Sequence, residues 1–457
     1  MDSNNGKRCS WQRCRDRRND ASCPAVTRST IAALATGRPP SAVAIIRISG
    51  PAAFAAVAGL CGSLPPPRRM SLRTLRDPNA QLLDSALIVV FPGTATASGE
   101  DLAELHLHGG AAVVSGVLDA LTRHPDVRLA EAGEFTRRAF ANGRLDLAQV
   151  EGLADLIAAE TATQRGQALA LAGGVLTRLA DSWRDQILSV LAQAEAGLDF
   201  AEDEADVAAH IAQASTERLH LIAAELNALV ADSGRAARIR EGLTIAVIGP
   251  PNVGKSSLVN ALSTRDMAIV TPIAGTTRDT IEVPMNLNGA AATLVDTAGL
   301  RATDDPIELE GIRRAKARAA AADLVLHISA PGVDEGGMPV GAWRVLNKCD
   351  LDPSAVTEVD YRVSALAGDG IAALRAALAD WAAAATRPGE PALLAHARHR
   401  AAFADAAAAV QAAAGTDDEV LRAEDLRRAA HALGRIAGRV DVDDILDRIF
   451  GQFCIGK

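Results

Sequence analysis

Hydrophobic and polar residues form different patterns in successive parts of the chain. Apolar runs at 31–36, 42–49, 82–91 and 102–107 are short and bounded by glycine, proline or polar residues, which is typical of strands. Helical spacing follows at 111–121. This mixture, which extends to about Arg144, predicts a small α/β or α+β domain.

From Leu145 to Arg240, apolar residues recur at steps of three and four, and an alanine-rich helical pattern returns beyond Pro388 and Pro391. Between these segments strands alternate with helices, which predicts a parallel sheet. We expect one helical domain interrupted by an inserted α/β domain. The expected divisions are 1–28, a disordered extension or a start codon assigned too early; 29–145, the N-terminal domain; 146–241 and 381–457, the helical segments; and 242–380, the insertion.

A phosphate-binding loop is predicted at the start of the insertion. The apolar run 245–248 reads as a buried strand, and residues 249–256 after it fit G-x-x-x-x-G-K-[ST]. The glycines let backbone N–H groups surround phosphates, Lys255 can reach the outer phosphates, and the Ser256 hydroxyl can hold Mg²⁺. The helix that follows points its positive end at the anion. The expected nucleotide ligands here are Asn252, Val253, Gly254, Lys255, Ser256 and Ser257.

Further sequence strings, three of which directly follow predicted strands, indicate which nucleotide the loop binds. Asp296 can bind Mg²⁺ through water, and the Gly299 N–H can sense a terminal phosphate. In Asn-Lys-x-Asp, Asp350 accepts from the N1–H and exocyclic amine of guanine, which adenine cannot offer. Because ligands of open α/β sheets bind at strand carboxyl ends, these strings predict a guanine nucleotide-binding domain. Its ligands are Asp296, Thr297, Ala298, Gly299, Asn347, Lys348, Asp350, Ser364, Ala365 and Leu366, with Thr277 completing the Mg²⁺ shell.

The residues alone do not decide which side chain activates the water molecule for GTP hydrolysis. Many GTPases place a glutamine directly after Asp-x-x-Gly, whereas this chain has Leu300 there, which cannot orient a water molecule. Asn252 has an amide oxygen able to hold a monovalent cation beside the phosphates, or it only forms the turn. Acidic residues at 304–310, among them Glu308, are candidate water-orienting carboxylates or acids that decorate a helix N-terminus.

Composition narrows the classes of function. The length of 457 residues predicts two to four domains. Because only 3% of residues are aromatic and the net charge is −9, a broad nucleic-acid-binding surface is not expected. No apolar run is long enough to span a bilayer, and none of the six cysteines forms a Cys-x-x-Cys pair. We expect a soluble cytoplasmic protein that makes no membrane contact.

Three other strings are not required for GTP binding or hydrolysis and are not expected in a generic GTPase. They are GEDLAELHLHGG (99–110), GEFTRRAFANGRLDLAQVEGLADLI (133–157) and the terminal FCIGK. With GPPNVGKSS, GTTRD, DTAGLR and NKCD, they make the chain from Thr30 to Lys457 resemble the MnmE (TrmE) family of tRNA-modification GTPases. The resemblance implies an N-terminal domain similar to folate-dependent aminomethyltransferases, a helical domain in two segments and an inserted Ras-like P-loop G domain.

The resemblance also implies roles for particular residues of the G domain. Glu308 would orient the attacking water, and Asn252 and Lys255 would act beside it. Mg²⁺ would be held by Ser256 and Thr277, and K⁺ by Asn252, Thr271, Ile273 and Thr276. The loop around the nucleotide would comprise Thr271, Pro272, Ile273, Ala274, Gly275, Thr276 and Thr277.

In the N-terminal domain the resemblance implies a formyl- or methylene-tetrahydrofolate as one-carbon donor, contacted by Arg47, Glu104, Arg144 and Lys457. A carboxylate suits the donors of a pterin's amino-pyrimidine edge, and cations suit the glutamate tail. Cys454 would have a nucleophilic or positioning role. Three departures from the family are the residues before Thr30, for which the family offers no counterpart, the loop GRPPSAV (37–43) and the short segment 328–343. In the last of these, a G-domain helix is expected to be reduced or missing.

The resemblance implies a homodimer held by the N-terminal domains and a heterotetramer with the FAD-dependent partner MnmG (GidA). GTP hydrolysis would drive G-domain association while the pair adds an aminomethyl or carboxymethylaminomethyl group to the wobble uridine of tRNA. The alternative is a ribosome-assembly or translation GTPase that acts as a binding switch. That alternative predicts an RNA-binding module, yet the chain has no GXXG-type loop, second G domain or basic tail.

Overall fold

The computed structural model describes residues 29–200, 205–263, 282–296, 321–333, 339–352, 358–387, 392–438, 449–450, 453 and 456. Packing divides the chain into two compact units, Met1–Ala154 with Ala437–Lys457, and Asp155–Ile436. Expectations for the first 28 residues lie outside the described part. None of the described helices is both long and apolar enough to cross a bilayer.

The first unit is built on a six-stranded sheet of the order β3-β4-β5-β2-β1-β6. Its pairs are antiparallel, except that β1 and β6 are parallel. The strand predictions at 31–36, 42–49, 82–91 and 102–107 are confirmed, and so is the helix at 111–121. The elements are β1 (Thr30–Leu34), β2 (Val43–Ser49), α1 (Ala53–Cys61), β3 (Ser71–Arg76), β4 (Leu82–Phe91), β5 (Leu102–His108), α2 (Ala111–Thr122), β6 (Val127–Leu129), α3 (Glu134–Ala141) and α4 (Leu147–Ala158).

The two faces of this sheet differ because side chains alternate along each strand. Ile46, Ile48, Ile88 and Leu105 point to one face and are buried in a core shared with α1 and α2. The opposite face carries partly exposed polar side chains on β2 and β5, and Phe135 of α3 covers its β1 end. The second face is therefore the one available to a ligand.

The end of the chain packs into the first unit. Phe450 and Phe453 share a small core with Leu147 and Val150 of α4. Gly456 has a φ of +102°, and a Cβ there would lie 2.1 Å from the Leu34 carbonyl oxygen at the end of β1. Glycine is therefore required at 456, where the backbone closely approaches the end of β1.

The second unit contains both helical segments. Its helices are α5 (Ala162–Ala172), α6 (Val175–Phe200), α7 (Ala205–Ala231), α8 (Ser233–Glu241), α9 (Lys255–Leu262), α10 (Ile371–Thr386), α11 (Ala397–Ala414) and α12 (Glu419–Gly434). Helix α6 packs on α12, and α7 packs on α11. The Trp183 ring meets Phe403 edge-on at 5.8 Å between centroids. The two helical segments thus form one packed body, as the hydrophobic pattern predicts.

A second six-stranded sheet has the order β12-β11-β10-β7-β9-β8, and its pairs are parallel except for β8 with β9. It comprises β7 (Leu243–Ile248), β8 (Glu282–Leu287), β9 (Ala290–Asp296), β10 (Leu324–Ser329), β11 (Trp343–Leu346) and β12 (Tyr361–Arg362). Strand order reverses around β7, which lies between β9 and β10. Open α/β sheets bind ligands at such a switch point, outside the carboxyl ends of the strands.

The proposed end of the insertion at 380/381 falls inside α10, which continues to Thr386. Its last turns pack near α8, where Ala236 and Ile239 form a small core with Ala392 and Ala395. No helix is present in the described residues between β10 and β11, and 334–338 lie outside them. The division of the chain into four parts remains a prediction.

Candidate functional site

The predicted phosphate loop lies between β7 and α9. Gly254 has a φ of +91° and precedes the first residue of α9. A Cβ at 254 would lie 2.4 Å from the Asn347 Nδ2 atom, so only glycine fits. The loop thus ends in a helix N-terminus, whose backbone N–H groups suit an anion.

Asn347 connects the phosphate loop to the two loops that the sequence predicts to contact guanine. Its side chain is 1% exposed. The Nδ2 atom donates to the Val253 carbonyl oxygen at 2.9 Å, and Oδ1 accepts from the Ala365 N–H at 3.0 Å. One buried amide therefore holds three strings of the motif set at a single edge of the sheet.

Two lysines add positive charge to the phosphate loop. The Lys255 side chain is buried, and its Nζ donates to the carbonyl oxygens of Gly249 at 2.8 Å and Pro250 at 2.7 Å. Lys348 Nζ donates to the Asn252 carbonyl oxygen at 2.6 Å. Asn252 is exposed with a φ of +62°, so its side chain projects from a turn at the surface.

The Ser-Ala-Leu string differs in detail from its expected role of offering a backbone N–H to guanine. The Ser364 N–H donates to the Asp369 carbonyl oxygen at 2.9 Å, and the Ala365 N–H is bonded to Asn347. Leu366 is 92% exposed, and its N–H makes no hydrogen bond within the described part of the chain. The N–H group open to a ligand is therefore that of Leu366.

Other predicted nucleotide ligands are placed only in part. Ser256 and Ser257 lie exposed in the first turn of α9, and Asp350 lies exposed in the turn after β11. The backbone of β9 ends at Asp296, beside β7. The expected roles of Thr271–Thr277, Thr297–Gly299 and Glu308 fall outside the described residues, as do those of Cys454 and Lys457.

A polar cluster occupies the second face of the N-terminal sheet. Arg47 of β2 and Glu104 of β5 are direct cross-strand neighbours. Nε and Nη2 of Arg47 donate to Glu104 Oε1 at 3.0 and 2.8 Å, and the guanidinium lies 5.9 Å from the Phe135 ring centroid. Arg47 and Glu104, which the resemblance gives as separate folate contacts, are thus bonded to each other.

Arg144 lies on the loop that follows α3. Its Nε donates to the Thr96 carbonyl oxygen at 3.1 Å, and the Asn142 side chain donates to the Ser98 carbonyl oxygen at 2.7 Å. Thr96 in turn donates to the Glu100 carbonyl oxygen. These bonds tie the turn before β5 to the residues that follow α3, so the position of Arg144 is set by contacts with the backbone of that turn.

An ion network anchors α3 beside the sheet. Arg138 donates to Glu100 Oε2 at 3.0 Å and to Glu134 Oε1 at 2.9 Å, and Arg128 also binds Glu134. Burial by itself raises the pKa of Glu134, but hydrogen bonds from Arg128, the Glu131 N–H and Arg138 outweigh it and lower the pKa to about 2. Glu134 is therefore ionised at neutral pH and keeps Arg138 in place.

His106 is a member of the cluster that sequence reasoning missed. It follows Glu104 by two residues on β5, so both side chains lie on the same face. Its Nε2 lies 3.7 Å from Glu104 Oε2. The signal was available as the alternation Glu-x-His in a strand. No group of three or more His, Cys, Asp or Glu side chains in the described ranges is arranged to hold a metal ion.

Comparison with known proteins covers nearly the whole chain. A family model described as the MnmE helical domain matches residues 147–454, and one described as the GTP-binding protein TrmE N-terminus matches 30–144. A tRNA modification GTPase MnmE of Rhodopseudomonas palustris is 49% identical over 439 residues, covering 94% of this chain and 99% of that protein. One of Azorhizobium caulinodans is 48% identical over 437 residues, covering 94% and 100%.

Among solved structures, the FeoB G-domain from Methanococcus jannaschii is 26% identical and matches 31% of this chain and 97% of its own, with a TM-score of 0.23. The family assignment rests on the sequence matches, because two family models together account for both units and the curated relatives match over almost their full lengths. The chain belongs to the MnmE (TrmE) family of tRNA modification GTPases.

Proposed function

We propose that the chain is a GTP-hydrolysing enzyme of tRNA modification. GTP binding is supported above all by the contacts of Asn347. Its buried side-chain amide joins the phosphate loop to both loops that are expected to contact guanine, at the carboxyl edge of the strands. The tRNA part is supported by relatives named tRNA modification GTPase that match 94% of the chain. Guanine selectivity then comes from Asp350, and the exposed Leu366 N–H donates to the guanine oxygen.

Different residues around the phosphates would have different roles in GTP hydrolysis. Lys255 and the N–H groups at the start of α9 bind and orient the phosphate chain. Ser256 and Thr277 would hold Mg²⁺, with Asp296 acting through water. The exposed side chain of Asn252, with Thr271, Ile273 and Thr276, would hold K⁺, which supplies positive charge where negative charge develops. Glu308 would orient the attacking water in place of the glutamine that Leu300 replaces.

The one-carbon chemistry is assigned to the first unit. A formyl- or methylene-tetrahydrofolate would lie on the open sheet face, with its pterin at Glu104 and its anionic tail near Arg144 and Lys457. This placement is supported by the partly buried polar cluster of Arg47 and Glu104 and by Gly456, which lies against the end of β1. Cys454 would lie nearby and act as nucleophile or positioning group.

The proposed reaction takes place in an assembly with a second protein. Two copies of the chain would pair through their N-terminal domains and join MnmG (GidA), an FAD-dependent partner, in a heterotetramer. That assembly would add an aminomethyl or carboxymethylaminomethyl group to the wobble uridine of tRNA. Because the chain carries a net charge of −9, the partner is expected to supply much of the tRNA-binding surface.

The second candidate function, a ribosome-assembly or translation switch, uses the same nucleotide site but no folate. Isothermal titration of the full chain with 5-formyl-tetrahydrofolate separates the two. Saturable binding that is lost in Glu104→Ala supports the modification enzyme. If the folded wild-type chain binds no folate, the switch becomes the better account.

The cation role of Asn252 is tested by GTP turnover in KCl and in NaCl. We expect turnover to be at least about tenfold faster in KCl, because neutralising transition-state charge is worth a few kcal/mol. Asn252→Ala should remove the difference while leaving nucleotide binding intact. The matched control is Asn260→Ala, an exposed asparagine in α9. Equal wild-type rates in the two salts would exclude this role.

A further inference from the structure

On the open face of the first sheet, a hydrogen-bond acceptor and a nitrogen of a histidine ring lie side by side without bonding. Glu104 Oε1 receives both hydrogen bonds from Arg47. Within the described ranges, no donor bonds to Oε2, and the buried His106 Nε2 has no hydrogen-bond partner. The 3.7 Å between these atoms exceeds a normal hydrogen bond. Because buried polar atoms in native proteins are almost always satisfied, the pair points to a ligand.

The Glu104 carboxylate determines whether Nε2 of His106 faces it with a lone pair or with an N–H group. A lone pair on Nε2 would face the negative charge of Glu104 Oε2 and be repelled, whereas an N–H at that position is attracted. The favoured state therefore carries a proton on Nε2. The cluster then offers one acceptor, Glu104 Oε2, next to one donor, His106 Nε2.

The surroundings of the pair favour a flat ring. In register, His106 lies between Ile45 of β2 and Leu87 of β4, and Leu72 of β3 follows Leu87. Leu87 and Leu72 are 41% and 62% exposed. An apolar strip therefore extends from the polar pair, so a heterocycle can place its polar edge on the pair and its face on the leucines.

We propose that His106 is a specificity-determining residue that reads the lactam edge of a reduced pterin. The assignment rests on the proposed folate function of this face. In the bound state, the pterin N3–H donates to Glu104 Oε2, and the neighbouring C4 carbonyl oxygen accepts from His106 Nε2. Leu87, whose side chain is partly in solvent, turns aside to admit the ring edge, as interface side chains commonly do on binding.

This arrangement distinguishes a 4-oxo pterin from a 2,4-diamino pteridine. In the diamino ring N3 is an acceptor and would face the Glu104 carboxylate, while the 4-amino group would point a donor at the Nε2 donor. Both hydrogen bonds are lost, and unpaired polar groups remain in the site. Sites that hydrogen-bond a substrate group reject analogues that lack it for this reason.

The test is isothermal titration of the full chain with 5-formyl-tetrahydrofolate and with its 4-amino analogue. The wild type should prefer the 4-oxo compound. His106→Phe keeps the ring volume and should weaken 4-oxo binding by about fivefold to tenfold, the effect of one lost hydrogen bond, while the 4-amino compound binds no more weakly than before. The preference should therefore shrink in this variant.

The matched control is His108→Phe on the same strand face. The His108 side chain is 76% exposed, and its Nδ1 bonds to Asp84 at 2.8 Å, so this change should leave both affinities unaltered. If wild type and His106→Phe bind both compounds with the same ratio of affinities, His106 does not read the pterin, and folate binding itself stands. A wild type that binds neither compound overturns the folate proposal and the assignment of His106 with it.

Discussion

Replacing Asn347 by alanine is expected to lower the free energy of unfolding by about 2–4 kcal/mol and to weaken GTP binding by about 100-fold. The substitution removes the hydrogen bonds that the Asn347 side chain makes with Val253 and Ala365, and it leaves a buried carbonyl oxygen and a partly buried N–H without their partner. Each such group costs about 1–3 kcal/mol. Binding falls further because the phosphate loop and the base-reading loops lose their common anchor.

Chemical denaturation and fluorescent-nucleotide titration measure the two effects of Asn347→Ala. The control is Asn260→Ala, because this asparagine is exposed on α9 in the same sheet domain. It should change stability by less than about 0.5 kcal/mol. An Asn347→Ala variant with wild-type stability and affinity would show that Asn347 does not hold the loops together.

Replacing Asp350 by asparagine is expected to change the preferred base from guanine to xanthine. The carboxylate accepts from guanine N1–H and from the exocyclic amine, and an amide NH₂ would instead meet the carbonyl that xanthine has at that position. We expect GTP affinity to fall by about 100-fold or more, since the site rejects a base whose donors it cannot pair. Affinity for XTP should rise correspondingly.

Competition of GTP, XTP and ATP against a fluorescent guanine nucleotide measures the exchange of specificity. Asp350 lies exposed in the turn after β11, so stability should stay within about 0.5 kcal/mol of the wild-type value. Asp380→Asn on the exposed side of α10 is the matched control and should keep the preference for GTP. If Asp350→Asn retains wild-type GTP affinity, Asp350 is not the base reader.

Local pattern predicted the elements that depend on nearby residues. The apolar run before Gly249, which was predicted to be a strand, forms β7. Strand β3 was missed because its six residues, SLRTLR, form the edge of a sheet and bury only Leu75. The proposed boundary at 380/381 lies within α10, because alanine continues through this helix without a breaker until Arg387.

Contacts between distant residues could not be predicted from pattern. Asn347 reaches Val253 across 94 positions, and only the parallel order of β7, β10 and β11 brings them together. Arg47 and Glu104 were expected to contact one ligand, but their mutual ion pair depends on the register of β2 with β5. Within the described residues, His106 Nε2 has no hydrogen-bond partner, and this too follows from the packing of neighbouring strands and not from local pattern.

We propose that GTP hydrolysis at the nucleotide site drives modification of tRNA. The most direct test of this proposal is nucleoside analysis, by liquid chromatography and mass spectrometry, of tRNA from cells in which the gene for this chain is deleted. The modified wobble uridine should disappear and return with the wild-type gene, but not with Lys255→Ala, which removes the ammonium held inside the phosphate loop. A deletion strain whose tRNA keeps the complete set of modified uridines would contradict the account.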